Sequence, residues 1–342
     1  MDKLTSNVVD LNGQKTFYYS AGPSDGQLLI FIHGWPDLAE TWKHQLFHFS
    51  SLGYRVVAPD MRGYGKSSGP KVKEAYALSV LVPELISLLH HLGASRAIWV
   101  SHDWGSGVTN SLAAHYPEAC LGIVNLSVAY RTVELGLAHE LTLTNRAIYP
   151  EETYPNGQWD YQVFYEQSPD LAARQLETAV EKTAKLFYIP PDPASWGKPS
   201  STATTVADGG LFKGNPDAMP DVPLSATMLD ESLYSALVQS HRTHGGFGPT
   251  AYYLNHAENE IYAKEEKNGG VLEFPFLYID AKYDAVCSTT TTPKMGEVQR
   301  EFVKDLTVVT VESGHWSMLQ TPREVNEAIE KWLREKFGKG KL

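Results

Sequence analysis

The chain has 342 residues, 42% of them apolar, enough to bury a full core and more than one small domain needs. Its 40 acidic against 29 basic residues give a formal charge of -11, which argues against a nucleic-acid partner or an anionic membrane surface. No apolar run approaches the ~20 residues of a spanning helix, and the first residues lack the apolar stretch of a signal peptide.

The two cysteines, Cys120 and Cys287, form no CxxC pair, which suits a reducing compartment. The expectation is a cytoplasmic protein. The final Gly340-Lys341-Leu342 is only a weak match to a peroxisomal address, because Gly replaces the usual Ser.

In chain order, Gln27-Leu28-Leu29-Ile30-Phe31-Ile32 reads as a central strand ending at His33-Gly34-Trp35-Pro36-Asp37. Arg55 to Asp60 reads as the next strand, closed by the turn Met61-Arg62-Gly63-Tyr64-Gly65, where Asp60 and Arg62 are read as bracing residues. An apolar-periodic helix from Leu81 to Leu92 stops at Gly93. Ala97 to Val100 and Leu121 to Leu126 are the next two strands, and Phe274 to Ile279 and Leu306 to Val311 are the last two. An amphipathic helix, about Pro322 to Phe337, closes the chain.

Alternating strands and helices on both sides of a strand-poor middle predict a βαβ core with an insertion. The division is 1–130 for the first part of the core, 131–256 for a helical cap and 257–342 for the rest of the core. Within the cap, residues 189–224 read as a long loop rich in Pro, Gly, Ser and Thr.

Asp103 carries the most information. In Ser101-His102-Asp103-Trp104-Gly105-Ser106 it sits between an apolar strand and a helical pattern, with small residues two before and two after. That is the layout of a nucleophile elbow, where a tight bend pushes one side chain out. Most such elbows expose Ser. A carboxylate here attacks electrophilic carbon and leaves an alkyl ester that water must then hydrolyse.

The second step needs a base, an acid to orient it and donors for an oxyanion. His315, in Glu312-Ser313-Gly314-His315-Trp316, follows the last strand, and Asp284 follows the one before it. Asp280 is a rival for the acid, but it lies close enough to its strand to be structural. The order nucleophile, acid, histidine is that of α/β-hydrolases. The backbone N–H groups of Trp35 and Trp104 are the candidate oxyanion donors.

Taken together, His33-Gly34-Trp35-Pro36-Asp37, Ala58-Pro59-Asp60-Met61-Arg62-Gly63-Tyr64-Gly65, the elbow and Gly314-His315 resemble the soluble epoxide hydrolases of the α/β-hydrolase superfamily. The resemblance implies an α/β-hydrolase fold, with a mostly parallel central sheet flanked by helices and an inserted helical cap. It also implies two cap tyrosines that bind the epoxide oxygen. Asp160-Tyr161-Gln162-Val163-Phe164-Tyr165 points to Tyr161, and Gly248-Pro249-Thr250-Ala251-Tyr252-Tyr253-Leu254-Asn255 points to Tyr253. A register error of one motif position would substitute Tyr165 or Tyr252.

The implied reaction converts a small apolar epoxide to a vicinal diol with no cofactor and no metal, in a monomer or homodimer. A haloalkane or haloacid dehalogenase shares the Asp elbow and could hold halide on the Trp104 indole. A ligand receptor without turnover is a third reading. The elbow's Ser101 and Ser106 depart from the usual Gly-x-Asp-x-Gly-Gly but remain small.

Overall fold

The computed structural model describes residues 4–338, so the reading of Gly340-Lys341-Leu342 lies outside the described residues. The strands are β1 (Thr5–Leu11), β2 (Gln14–Ala21), β3 (Leu28–Ile32), β4 (Arg55–Pro59), β5 (Ala97–His102), β6 (Cys120–Leu126), β7 (Leu272–Ala281) and β8 (Val303–Val311). They form one sheet in the spatial order β1-β2-β4-β3-β5-β6-β7-β8. Pairing is antiparallel from β1 to β2 and from β2 to β4, and parallel elsewhere.

The inner strands are apolar along their whole length because helices cover both faces of a parallel sheet. Leu29 to Ile32, Ile98 to Val100, Ile123, Val124, Phe276 and Leu277 are all fully buried. The six strands expected from the sequence are present. The helix expected from Leu81 to Leu92 runs Leu78–His91, and the last helix is Pro322–Phe337.

The hairpin β1–β2 has no counterpart among the predicted elements. Strand β1 lies at the sheet edge with half its side chains in solvent, so it lacks the continuous apolar run of the inner strands. Its turn is nevertheless written locally. Asn12 and Gly13 both adopt positive φ, 57° and 88°, the conformation that a two-residue hairpin favours.

Between β6 and β7, described residues 127–271 contain helices and turns but no strand. The helix Asp160–Gln167 presents one of the two tyrosine motifs, and the short helix Phe247–Ala251 leads into the other. The helix His256–Ala263 turns back onto the core, where Asn259 Oδ1 accepts the Leu78 N–H at the start of the helix Leu78–His91, 2.9 Å away.

Residues 189–224, expected as a long loop, carry local structure. They contain short 3-10 turns at Pro193–Ser195, Ser201–Thr204, Leu211–Gly214, Pro216–Ala218 and, at the end, Leu224–Ala226. Side-chain caps from Asp192, Ser200 and Asn215 start three of them. Cap helices pin the segment: Asp160 Oδ2 accepts the Val206 N–H at 2.7 Å, and Gln175 bonds both Gly209 O and the Leu211 N–H. Turns this short leave no periodic signature in a sequence, and their anchors lie far away along the chain.

Candidate active site

The turns after β3, β5, β7 and β8 all emerge at the C-terminal edge of the parallel strands, where open α/β sheets place their ligands. Asp103 ends β5 with φ 52° and ψ -126°, a backbone that a non-glycine residue holds only where its surroundings over-determine it. Gly105 makes the bend possible. A Cβ there would lie 2.4 Å from Ile32 O and 2.6 Å from His33 O, so any side chain would push the helix Trp104–His115 off β3. Ser101 Oγ lies 2.7 Å from Thr109 Oγ1 and donates to Asn125 Oδ1 at 2.8 Å, tying strand, helix and β6 together.

Around the Asp103 carboxylate the partners divide by oxygen. Oδ1 accepts the Trp35 N–H at 2.6 Å, and Oδ2 lies 3.4 Å from His315 Nε2. On the other side of the imidazole, His315 Nδ1 donates to Asp284 Oδ2 at 2.6 Å. Asp284 Oδ1 is held in turn by the N–H groups of Val286 and Cys287, at 2.9 and 3.0 Å. Asp280 instead binds the backbone and hydroxyl of Thr289, both at 3.0 Å, and makes no bond to His315 among the described residues. It is a bracing residue of the β7 turn.

Burial disfavours charge on all three groups, yet mutual attraction outweighs it. Burial raises the Asp103 carboxyl, but the hydrogen bond and charge of His315, with the Trp104 N–H assisting, leave it below the ordinary value. Asp284 is likewise held low against burial by His315. Burial pulls His315 down, but Asp284 and then Asp103 hold it well above a free histidine. Mutual attraction thus favours the charged imidazole between two carboxylates.

Asp103, His315, Trp35, Tyr161, Tyr165 and Tyr253 line one cavity of about 650 Å³, whose lining also includes Phe187 and Phe212. The Tyr161 and Tyr253 ring centroids are 5.6 Å apart. Burial, reinforced by nearby groups including Asp103, pushes both phenols well above their ordinary range, so both stay protonated donors. Tyr252 faces away from the cavity and gives its hydroxyl to Arg62 O at 3.0 Å. Tyr165 shares the cavity, and its buried hydroxyl has no partner among the described residues. The Trp104 side chain is buried but does not line the cavity.

Asp37 and His102 belong to the motifs after β3 and in the elbow, which give neither residue a role of its own. Asp37 is fully buried and accepts from Tyr188 Oη at 2.5 Å and Trp316 Nε1 at 3.0 Å, while its Oδ2 lies 3.2 Å from His102 Nδ1. His102 Nε2 lies 3.0 Å from the carbonyl of His315, which also accepts from Ser127 Oγ at 2.8 Å. The network fixes the backbone that carries the imidazole. Its only sequence signal was two ionisable residues beside turns already singled out.

Residues 27–322 match the family model described as alpha/beta hydrolase fold. The chain is 30% identical to Epoxide hydrolase A of Mycobacterium tuberculosis over 97% of its own length and 98% of that protein. It is 29% identical to Bifunctional epoxide hydrolase 2 of Sus scrofa over 90% of its length, and there it spans about half (51%) of the relative. Epoxide Hydrolase A from Mycobacterium thermoresistibile has a crystal structure with a TM-score of 0.76 and 26% identity, covering 97% of this chain and 98% of that one.

Proposed function

The chain belongs to the epoxide hydrolases of the α/β-hydrolase superfamily, and we propose that it hydrolyses an apolar epoxide to a vicinal diol through an ester on Asp103. The observation that carries this reading is His315 bridging Asp103 and Asp284 beneath two protonated tyrosines in one cavity.

With Oδ1 held by the Trp35 N–H, Oδ2 is the oxygen free to attack an epoxide carbon. The carbon–oxygen bond of the ring breaks as the new bond to Oδ2 forms, and negative charge grows on the departing oxygen. Tyr161 and Tyr253 donate hydrogen bonds to that oxygen, which remains attached to the substrate and takes a proton from one of the two phenols. The ester removes the charge of Asp103, so His315 releases its proton more readily; water carries that proton to the phenolate, and the His315 Nε2 becomes a base. Water activated there attacks Cγ of Asp103. The charge passes to Oδ1, where the N–H groups of Trp35 and Trp104 hold it until the Cγ–Oδ2 bond breaks. The diol leaves with Oδ2 and the proton His315 took from water, and the new Asp103 carboxyl returns its proton to His315. Residues 131–256 serve as the cap that brings the tyrosines over the nucleophile.

Displacement of halide would need N–H donors facing the leaving atom. The Trp104 indole is outside the cavity lining, whereas Tyr161 and Tyr253 line it together with Asp103, which favours the epoxide.

The test is His315→Gln mixed with styrene oxide. The variant is expected to accumulate an adduct on the Asp103 peptide, with a mass increase equal to the substrate. A single turnover of the parent in oxygen-18 water should place the label in Asp103 and leave the diol unlabelled. Label in the first-turnover diol would mean direct attack by water and end the proposal.

A further inference from the structure

Tyr161 is not held by its own contacts alone. Its Oη accepts a hydrogen bond from Gln162 Nε2 at 3.2 Å. The same amide nitrogen gives its other hydrogen to Glu140 Oε2 at 2.7 Å. Glu140 comes from the helix Leu137–Leu143 and Gln162 from Asp160–Gln167, so two cap helices meet at this amide. Gln162 does not line the cavity that Tyr161 lines, so its amide meets the Tyr161 hydroxyl from outside that lining.

Both polar side chains are fully buried. Glu140 Oε1 and Gln162 Oε1 have no partner among the described residues, which makes the pair expensive to bury for packing alone. A phenol oxygen that accepts from one side keeps its single hydrogen for another acceptor. Here the open side is the cavity above Asp103. Burial first, and then the charges of Glu134 and Asp103, push the Glu140 carboxyl up to about 8. A neutral carboxyl accepts the amide hydrogen without adding a second anion near the nucleophile.

We propose that Glu140 and Gln162 are positioning residues for ring opening, which fix the Tyr161 hydroxyl so that its hydrogen points at the epoxide oxygen. The inference rests on the reading of Tyr161 as an epoxide donor.

Rapid quenching of the enzyme with styrene oxide, followed by intact-protein mass, separates ester formation from ester hydrolysis. Glu140→Ala is expected to slow ester formation about tenfold, less than outright loss of an oxyanion donor because the hydroxyl is misdirected rather than removed. Hydrolysis should stay within about twofold, since His315 and Asp284 are untouched, and Glu140→Gln should recover most of the loss by keeping an acceptor. In a Tyr161→Phe background Glu140→Ala should add less than about twofold, because coupled residues are not additive.

Equal slowing of both steps, or the full effect persisting in the Tyr161→Phe background, would show a structural role and overturn the inference. A parental rate of ester formation in Tyr161→Phe alone would instead remove the reading it rests on. If Glu140→Ala does not fold, Gln162→Leu carries the same cycle from the other end of the chain of bonds.

Discussion

His315 Nδ1 donates to Asp284 Oδ2 at 2.6 Å, and this bond leaves Nε2 as the nitrogen that faces Asp103. The tautomer is therefore set from behind, by a carboxylate that is itself held by two backbone N–H groups. Asp284→Asn can turn its amide toward Nδ1 and invert that tautomer. Ester hydrolysis is expected to slow by at least about 10²-fold, with the ester visible by mass. Asp280→Asn, four residues away but bonded to Thr289, should leave ester hydrolysis near the parental rate in the same assay.

The charge of Asp103 is one of two that hold His315 up. Below the raised value the imidazole is charged and cannot act as a base. Ester formation removes one of the two anions, so the value falls and the neutral base appears at lower pH. The rate of ester decay should rise with pH to a plateau, with its midpoint below the titration of the resting enzyme. Asp103→Asn mimics the uncharged ester, and NMR titration of the His315 imidazole should move to lower pH. An unmoved titration would separate His315 from Asp103 electrostatically.

Four tyrosines lie in or beside the two cap motifs, and their hydroxyl partners rank them. Tyr161→Phe and Tyr253→Phe should each slow opening of styrene oxide, by somewhat less than the 10²–10³-fold typical of losing a lone oxyanion donor, because the two share one oxygen. The double variant should lose nearly all ring opening while keeping its fold. Tyr252→Phe breaks a bond to Arg62 O outside the cavity and should affect stability more than rate. Tyr165→Phe removes a hydroxyl without a partner and should have the smallest effect. Halide release from 1-bromobutane with no diol from styrene oxide would reverse the choice of leaving group.

Gly105→Ala tests the bend itself. The added methyl meets two backbone carbonyl oxygens, Ile32 O and His33 O, that cannot rotate away. Overpacking of this kind costs roughly 1–3 kcal/mol, read as a fall in the urea midpoint. Because Ile32 and His33 lead into the turn that carries the Trp35 N–H to Asp103, activity should drop further than the lost stability explains.

The sequence by itself determined the elements whose rules are local. Small residues around Asp103, an apolar strand before it and a Gly-His after the last strand are statements about neighbouring backbone, and so was the Asn12-Gly13 turn that went unread. The sequence already preferred Asp284 to Asp280 and Tyr253 to Tyr252; only the tertiary structure gave the distant surroundings of each, His315 for Asp284, Thr289 for Asp280, the cavity for Tyr253 and Arg62 O for Tyr252. The Glu140–Gln162–Tyr161 chain and the anchoring of residues 189–224 had no local signature at all. Hydrogen bonds from side chains to groups 20 to 50 residues away depend on how helices pack, and helix packing is decided by the whole core rather than by any one segment.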